Sequence, residues 1–287
     1  MMDETAPALR ALFGSAPWSA LPLSDTGGAA RVPTMLTQAE QQLYFWLARD
    51  WARGAGAIVD LGCFAGGSTA RLAEGRRQAG HAAPLHAFDR FTATPRVKKR
   101  VLYPAGIPPF EGNDILPLAQ HLLAPWQGQI RLHPGEIEDS LWPGAPIEIL
   151  AIDAAKSTAV LDAIAEMFFP SLIPGASVVI QQDYFHWRQP WIAVQMERMA
   201  DCFAPLAICP DATAVFMCIR TPDAAALARG ACDRLSDADL AAGLAAARQR
   251  MAGFGQEARF DRMLAALAAN PGERVSWRFI PPVADSA

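Results

Sequence analysis

Short apolar runs, four to six residues long and rich in β-branched side chains, recur along the chain and alternate with stretches whose apolar positions fall three and four apart. The runs predict buried strands over 57–61, 85–88, 129–133, 147–152, 176–180, 206–209 and 214–219. The spaced stretches predict helices. Thr37 and Glu40 form a TxxE capping box that opens the first, and Leu43, Phe45, Trp46, Leu47 and Trp51 supply its apolar face until Gly54 and Gly56 end it. Further helices are expected over 68–78, 115–123, 157–169 and 190–199, the third of these capped by Ser157. Seven strands alternating with helices imply an α/β fold: a mostly parallel sheet with right-handed crossovers and helices on both faces, the last strand pair open to an antiparallel arrangement.

Outside this alternation lie two segments. Residues 1–34 are rich in Ala, Pro and Gly without a period and read as a loosely attached lead-in; 221–287 are Ala-rich and read as an appended helical region, with one more strand over 274–280. The repeating part is then 35–220.

Composition narrows the partners. A chain of 287 residues buries a full core. Its net charge of -4 gives no basic surplus, so a nucleic-acid partner is not favoured. Five cysteines without a CxxC pair argue against a disulfide framework or a zinc site and fit a reducing cytoplasm. The start, with Asp3 and Glu4, shows no secretory signal, and no apolar run is long enough to span a bilayer, so no membrane partner is expected. A homo-oligomer stays open.

The chemistry concentrates after the first strand, in AIVDLGCFAGGST over 57–69. Asp60 stands near the strand's carboxyl end; Gly62, Gly66 and Gly67 allow a turn with unusual backbone angles and close approach of a ligand, and Ser68 can cap the following helix. Strand, glycine turn and helix N-terminus suggest a nucleotide-like ligand. The spacing is not GxGxxG, since Phe64 takes the middle position, and this disfavours a nicotinamide oxidoreductase. Asp89, 29 residues beyond Asp60 and at the end of the second strand, is placed to accept the hydroxyl hydrogens of a ribose. Glu136, after the third strand, is suited either to an adenine amino group or to the start of the turn over 137–141. Asp153 and Asp183 end the fourth and fifth strands. The glycine turn, Asp89, Glu136, Asp153 and Asp183 thus each follow a different strand on the edge where open α/β sheets bind ligands, although any one of them alone reads equally well as a turn or cap. The basic cluster Arg96, Lys98, Lys99 and Arg100, in the irregular segment 90–109, reads as a lid or, more simply, as a solvated loop.

These residues resemble a known pattern. The spacing of acid and glycines over 60–66 looks like the first motif of class I S-adenosylmethionine-dependent methyltransferases. From about 35 to 220 the chain resembles the macrocin O-methyltransferase family, through MLTQAEQQLYFWLA, DLGCFAGGST, AFDRF, IDAAKS and VVIQQDYFHWRQPWIAV. The resemblance implies a Rossmann-like sheet, S-adenosylmethionine as cofactor, methyl transfer to a hydroxyl of a small molecule or sugar, and help from magnesium. It would give Asp60, Gly62, Gly66 and Asp89 to the cofactor site, joined by Phe64, Ser68 and Glu136 from the reading above. Asp153 and Asp183 would belong to the reaction site.

The departures from the family pattern bear on the metal. Where the family commonly carries Asp, Gly, Asp, His at the fourth strand, this chain has Asp153, Ala154, Ala155 and Lys156; where it carries Asp, Asp, Tyr at the fifth, this chain has Gln182, Asp183 and Tyr184. Two carboxylates and a histidine are gone and a cation has arrived, which should weaken magnesium binding severely, and no metal ligands are assigned. If a further ligand exists, Glu148 and Gln181 are the first candidates. Without a metal, Lys156 with a lowered pKa or His186 is the candidate base, or positioning alone carries the reaction. A rival reading is a non-catalytic binding module on the same fold, which the presence of the cofactor residues disfavours.

Overall fold

The computed structural model describes residues 2–210 and 212–282. The strands are β1 (Ala57–Leu61), β2 (Leu85–Asp89), β3 (Ile130–Pro134), β4 (Ile147–Ile152), β5 (Val178–Gln181), β6 (Phe203–Cys209) and β7 (Thr213–Cys218). They form one seven-stranded sheet in the order β3-β2-β1-β4-β5-β7-β6. The helices are α1 (Met2–Gly14), α2 (Gln38–Trp46), α3 (Gly67–Ala79), α4 (Pro95–Val97), α5 (Leu116–Leu123), α6 (Thr158–Phe168), α7 (Pro190–Arg198), α8 (Ala224–Gly230), α9 (Asp237–Arg250) and α10 (Glu257–Ala269). This is the Rossmann-like arrangement expected from the alternation. The sequence of strands reverses direction after β1, so that β4 lies on its other side, and such a switch point is where open sheets take ligands.

The chain divides into two compact units. One comprises Ala11–Leu141 with Ala145–Ala151 and holds β1 to β3 and nearly all of β4. There β1 runs parallel to β2 and β2 to β3, with Asp60 opposite Ala87 and Phe88 opposite His133. All five β1 side chains are buried, as a strand covered on both faces requires. The capping box is present: Glu40 N–H donates to Thr37 Oγ1 at 3.3 Å, and Thr37 N–H to Glu40 Oε2 at 2.8 Å. Glycines allow α3 to pack tightly, since a Cβ at Gly75 would stand 2.5 Å from Phe45 O.

The lead-in is not loose over 11–33. Phe13 and Trp18 are buried, and the Phe13 ring meets those of Trp46 and Trp51 edge-on, with centroids 5.3 and 5.1 Å away. Phe13 lies on α1, and Pro17–Ala20 and Leu23–Arg31 form 3-10 turns, whose packing leaves no helical period in the sequence. The basic segment is also more ordered than a loop, with helical turns over 95–102. Lys98 is buried and donates to Phe110 O and Gly112 O, at 2.9 and 2.6 Å, while Arg96, Lys99 and Arg100 face solvent.

The other unit comprises residues 1–10, Trp142–Gly144 and Ile152–Ala287. Here β7 pairs antiparallel with both β5 and β6. The helices beyond residue 220 are bound into this unit: a Cβ at Gly243 in α9 would stand 2.7 Å from Val194 Cγ1 in α7, and Phe260 of α10 meets Tyr184 and Phe185 edge-on. The strand expected over 274–280 is instead a bridge between Ser157 and Val275 followed by a 3-10 turn, Ser276–Arg278.

Candidate functional site

The cofactor candidates lie in the first unit, at or just after the carboxyl ends of β1, β2 and β3. The turn after β1 has positive φ at Gly62 (92°), Phe64 (53°) and Gly66 (93°), and Gly66 N–H closes it onto Cys63 O at 2.8 Å. Glycine takes such angles freely, whereas phenylalanine at φ 53° is strained and must be held by its surroundings. The holding group is Asp89: its Oδ2 accepts from Phe64 N–H at 2.8 Å, and its Oδ1 accepts from Phe91 N–H at 2.6 Å. Phe91 is itself at φ 51°. Two left-handed non-glycine residues therefore grip one carboxylate, fixing its orientation between the first and second loops. Burial raises the Asp89 pKa, and the two N–H bonds oppose that rise without cancelling it. Each oxygen retains a further lone pair for a ligand hydroxyl.

Asp60 and Ser68 are hydrogen-bonded to each other. Asp60 is buried, its Oδ2 accepting from Ser68 Oγ at 2.7 Å and from Thr69 Oγ1 at 2.6 Å. It ties the end of β1 to the first turn of α3. Desolvation pushes its pKa up to about 6 against the pull of the two hydroxyls. Ser68 is not the cap of α3; Gly66 holds the cap position, without a side-chain bond, because the turn needs its left-handed angle there. The missing side chain of Gly66 also makes room for Leu123, whose Cδ1 would stand 2.7 Å from a Cβ. Glu136 is exposed beyond β3 and faces Arg90 Nη1 at 3.9 Å. Gly135 N–H, beside it, donates to Asp89 O at 3.0 Å, which keeps the β2 and β3 ends abreast.

The reaction candidates Asp153, Lys156, Asp183 and His186 lie in the second unit. Lys156 Nζ donates to Asp153 Oδ1 at 2.6 Å and also to Asp183 Oδ2. Gln189 Nε2 donates to the same Asp183 oxygen at 2.7 Å. Burial works against the Lys156 charge, but the attraction of Asp153 and Asp183 and their hydrogen bonds outweigh it and hold the pKa above the ordinary lysine value. The expected lowered pKa, and with it a neutral Lys156 as base, is therefore corrected. Burial likewise opposes the Asp183 charge, and Lys156, Gln189 and His186 together keep its pKa below the usual aspartate value. His186 lies flat against Trp187, and its Nδ1 accepts from Arg188 N–H at 3.3 Å. That contact turns its acceptor lone pair to the backbone.

Of the two reserve metal ligands, Glu148 is engaged elsewhere. Glu148 is buried near the start of β4, away from the carboxyl ends, and accepts from the N–H groups of Arg53, Gly54 and Ala55 at 2.6, 3.0 and 3.0 Å. Gln181 is buried with its Nε2 against Met196 Sδ at 3.5 Å. Among the described residues no group of three or more His, Cys, Asp or Glu side chains is disposed to hold a metal.

The sequence reading missed Thr69, Phe91 and Gln189. Thr69 adjoins Ser68 in the motif and was open to notice. Nothing in a sequence signals that Phe91 adopts φ 51°, or that the side chain preceding Pro190 turns back toward Asp183.

No protein-family model matches the chain, and no curated protein matches it. Among solved structures it is similar to a Podospora anserina methyltransferase bound to SAH, at 16% identity over 72% of this chain and 87% of that one, with a TM-score of 0.43. It is similar to cofactor-bound Rv0187 from MTB, at 18% identity over 71% of this chain and 90% of that one, TM-score 0.45. A third likeness is to CalS11, a TDP-rhamnose 3'-O-methyltransferase of calicheamicin biosynthesis, at 16% identity over 62% of this chain and 77% of that one, TM-score 0.43. At such scores the likenesses carry no functional argument. The chemistry has to come from the residues.

Proposed function

We propose that this protein is an S-adenosylmethionine-dependent methyltransferase acting on a hydroxyl of a small molecule or sugar. The observation that carries the reading is the Asp89 carboxylate, oriented by two backbone N–H groups from strained residues and beside a glycine turn at a strand end. A carboxylate held in this way fits the paired hydroxyls of a ribose. The cofactor, when bound, supplies a sulfonium methyl group.

The chain's residues have separate duties. Asp89 accepts from the ribose hydroxyls; Gly62 and Gly66 bring main chain to the ligand; Glu136, exposed at the same edge, suits the adenine amino group. Asp60, Ser68 and Thr69 hold the turn in register with α3. In the second unit Lys156, being protonated, donates rather than accepts. The ammonium and its two carboxylates orient the acceptor hydroxyl, and the proton released on transfer passes to solvent.

Calorimetry with S-adenosylmethionine, S-adenosylhomocysteine and NAD tests the cofactor assignment, and transfer of a labelled methyl group to a panel of hydroxylated sugars and phenols tests the reaction. Saturable binding of the first two and not the third, with label in an acid-stable ether, is expected. Binding of NAD alone, or of none, overturns the reading.

A further inference from the structure

Around Lys156 the structure holds an arrangement that the sequence resemblance does not contain. The ammonium stands between Asp153 and Asp183, which come from the loops after two different strands. A lysine ammonium has three N–H donors, and these carboxylates use two. Lys156 is part exposed as a residue, and among the described residues no third acceptor is bonded to its ammonium. A second observation marks the same spot as built for one. Gln189 is buried, its Nε2 is committed to Asp183, and its Oε1 has no hydrogen-bond partner. The two atoms belong to one rigid amide, so this unpartnered acceptor lies beside the carboxylate. A buried acceptor left without a partner is costly, which favours a donor arriving from a ligand.

The magnesium implied by the family resemblance does not fit this donor set. A divalent ion seated between Asp153 and Asp183 would have to displace the ammonium or share its position, and a dication and an ammonium in contact repel strongly. We propose that Lys156 is the site's resident cation, tethered between Asp153 and Asp183 in place of a divalent metal, with its third N–H and the Gln189 Oε1 forming a donor and acceptor pair for one hydroxyl of the acceptor. A neutral hydroxyl satisfies both partners: its oxygen receives the Lys156 N–H and its hydrogen is given to Gln189. The acceptor class that follows is a neutral polyol or sugar, not a carboxylate or phosphate, whose oxygens bring no hydrogen for Gln189. The acceptor class rests on the methyltransferase reading; the cation assignment does not.

The test measures binding of Mn2+ alone to the full-length chain by electron paramagnetic resonance. The wild type should show no saturable site below millimolar concentration. Lys156→Ala removes the ammonium from between the two carboxylates and should gain a site at least tenfold tighter, lost again in Lys156→Ala/Asp183→Asn. If Lys156→Ala fails to melt cooperatively, Lys156→Gln is used, which keeps the stem and removes the charge. A wild-type site that Asp153→Asn abolishes overturns the proposal, and so does the lack of any gain in the folded Lys156 variant. Failure of the methyltransferase reading shows separately, as wild type that binds no S-adenosylmethionine.

Discussion

The two units solve the same electrostatic problem, keeping carboxylates at strand ends inside a folded protein, in opposite ways. In the first unit Asp60 and Asp89 are held by hydroxyls and backbone N–H groups with no cation in hydrogen-bonding contact, and burial raises the pKa of both. In the second, Asp153 and Asp183 share an ammonium, and the Asp183 pKa is depressed. The contrast separates an anionic grip left open for ligand hydroxyls from a cluster that neutralises itself. It also says where pH should act. Asp60 titrates in mildly acidic solution, whereas Asp183, held below the usual aspartate value, keeps its charge there.

The largest expected effect comes from removing the grip. Asp89→Ala deletes the ribose acceptor and leaves the N–H groups of Phe64 and Phe91 without their partner, and S-adenosylmethionine affinity should fall roughly a hundredfold, about 3 kcal/mol. Calorimetry reads this directly, and an unchanged affinity removes Asp89 from the site.

Next is Asp60. Its folded pKa lies above its unfolded value, so the folded state binds the extra proton, and stability falls as pH rises from the ordinary aspartate value of 3.8 to about 6. Asp60→Asn keeps an oxygen for the Ser68 and Thr69 hydroxyls and removes the buried charge. Above pH 7 the variant should be more stable than wild type by about 1 to 2 kcal/mol, with no gain at pH 4. Urea denaturation at the two pH values decides it; a loss at both would mean that the charge itself is needed.

The smallest effect belongs to Glu136. It is exposed, and its contact with Arg90 is long, so Glu136→Gln should change S-adenosylmethionine affinity by about 0.5 kcal/mol, a twofold to threefold effect. A tenfold loss by the same calorimetry would show that the adenine contact is far stronger than its exposure suggests.

How much of this was legible depended on whether the signal was local. The inner strands carried theirs, because strands covered on both faces must be apolar throughout, whereas the edge strand β3 proves part exposed and not buried as expected; the Thr37 capping box is a property of four consecutive residues. The glycine turn was readable for the same reason. What the sequence concealed depends on direction. Asp60 and Asp89 have the same side chain near the carboxyl ends of adjacent strands, yet one turns to α3 and the other is fixed by the N–H groups of Phe64 and Phe91. Lys156 looked like a candidate base until its two neighbours were known. A residue's pKa is set by groups distant in sequence, and Asp183 is 27 residues away.

Arg71 carries a consequence of another kind. Its buried guanidinium donates to Val32 O and Gly67 O, at 3.0 and 2.8 Å, and through Nε and Nη2 to Gln41 Oε1, with no carboxylate among these partners. One side chain thus fastens the segment ahead of α2 to the first residue of α3, where a Cβ at Gly67 would stand 2.5 Å from Pro33 O. A shortened chain starting at residue 35 would keep every strand of the sheet and still lose Val32 and Pro33, exposing a cation that burial has already drawn down to about 10. The opening thirty-odd residues, the least patterned of the chain, act as a brace for the glycine turn. Anyone trimming this protein to its recognisable motif should expect a folded sheet with a slack turn.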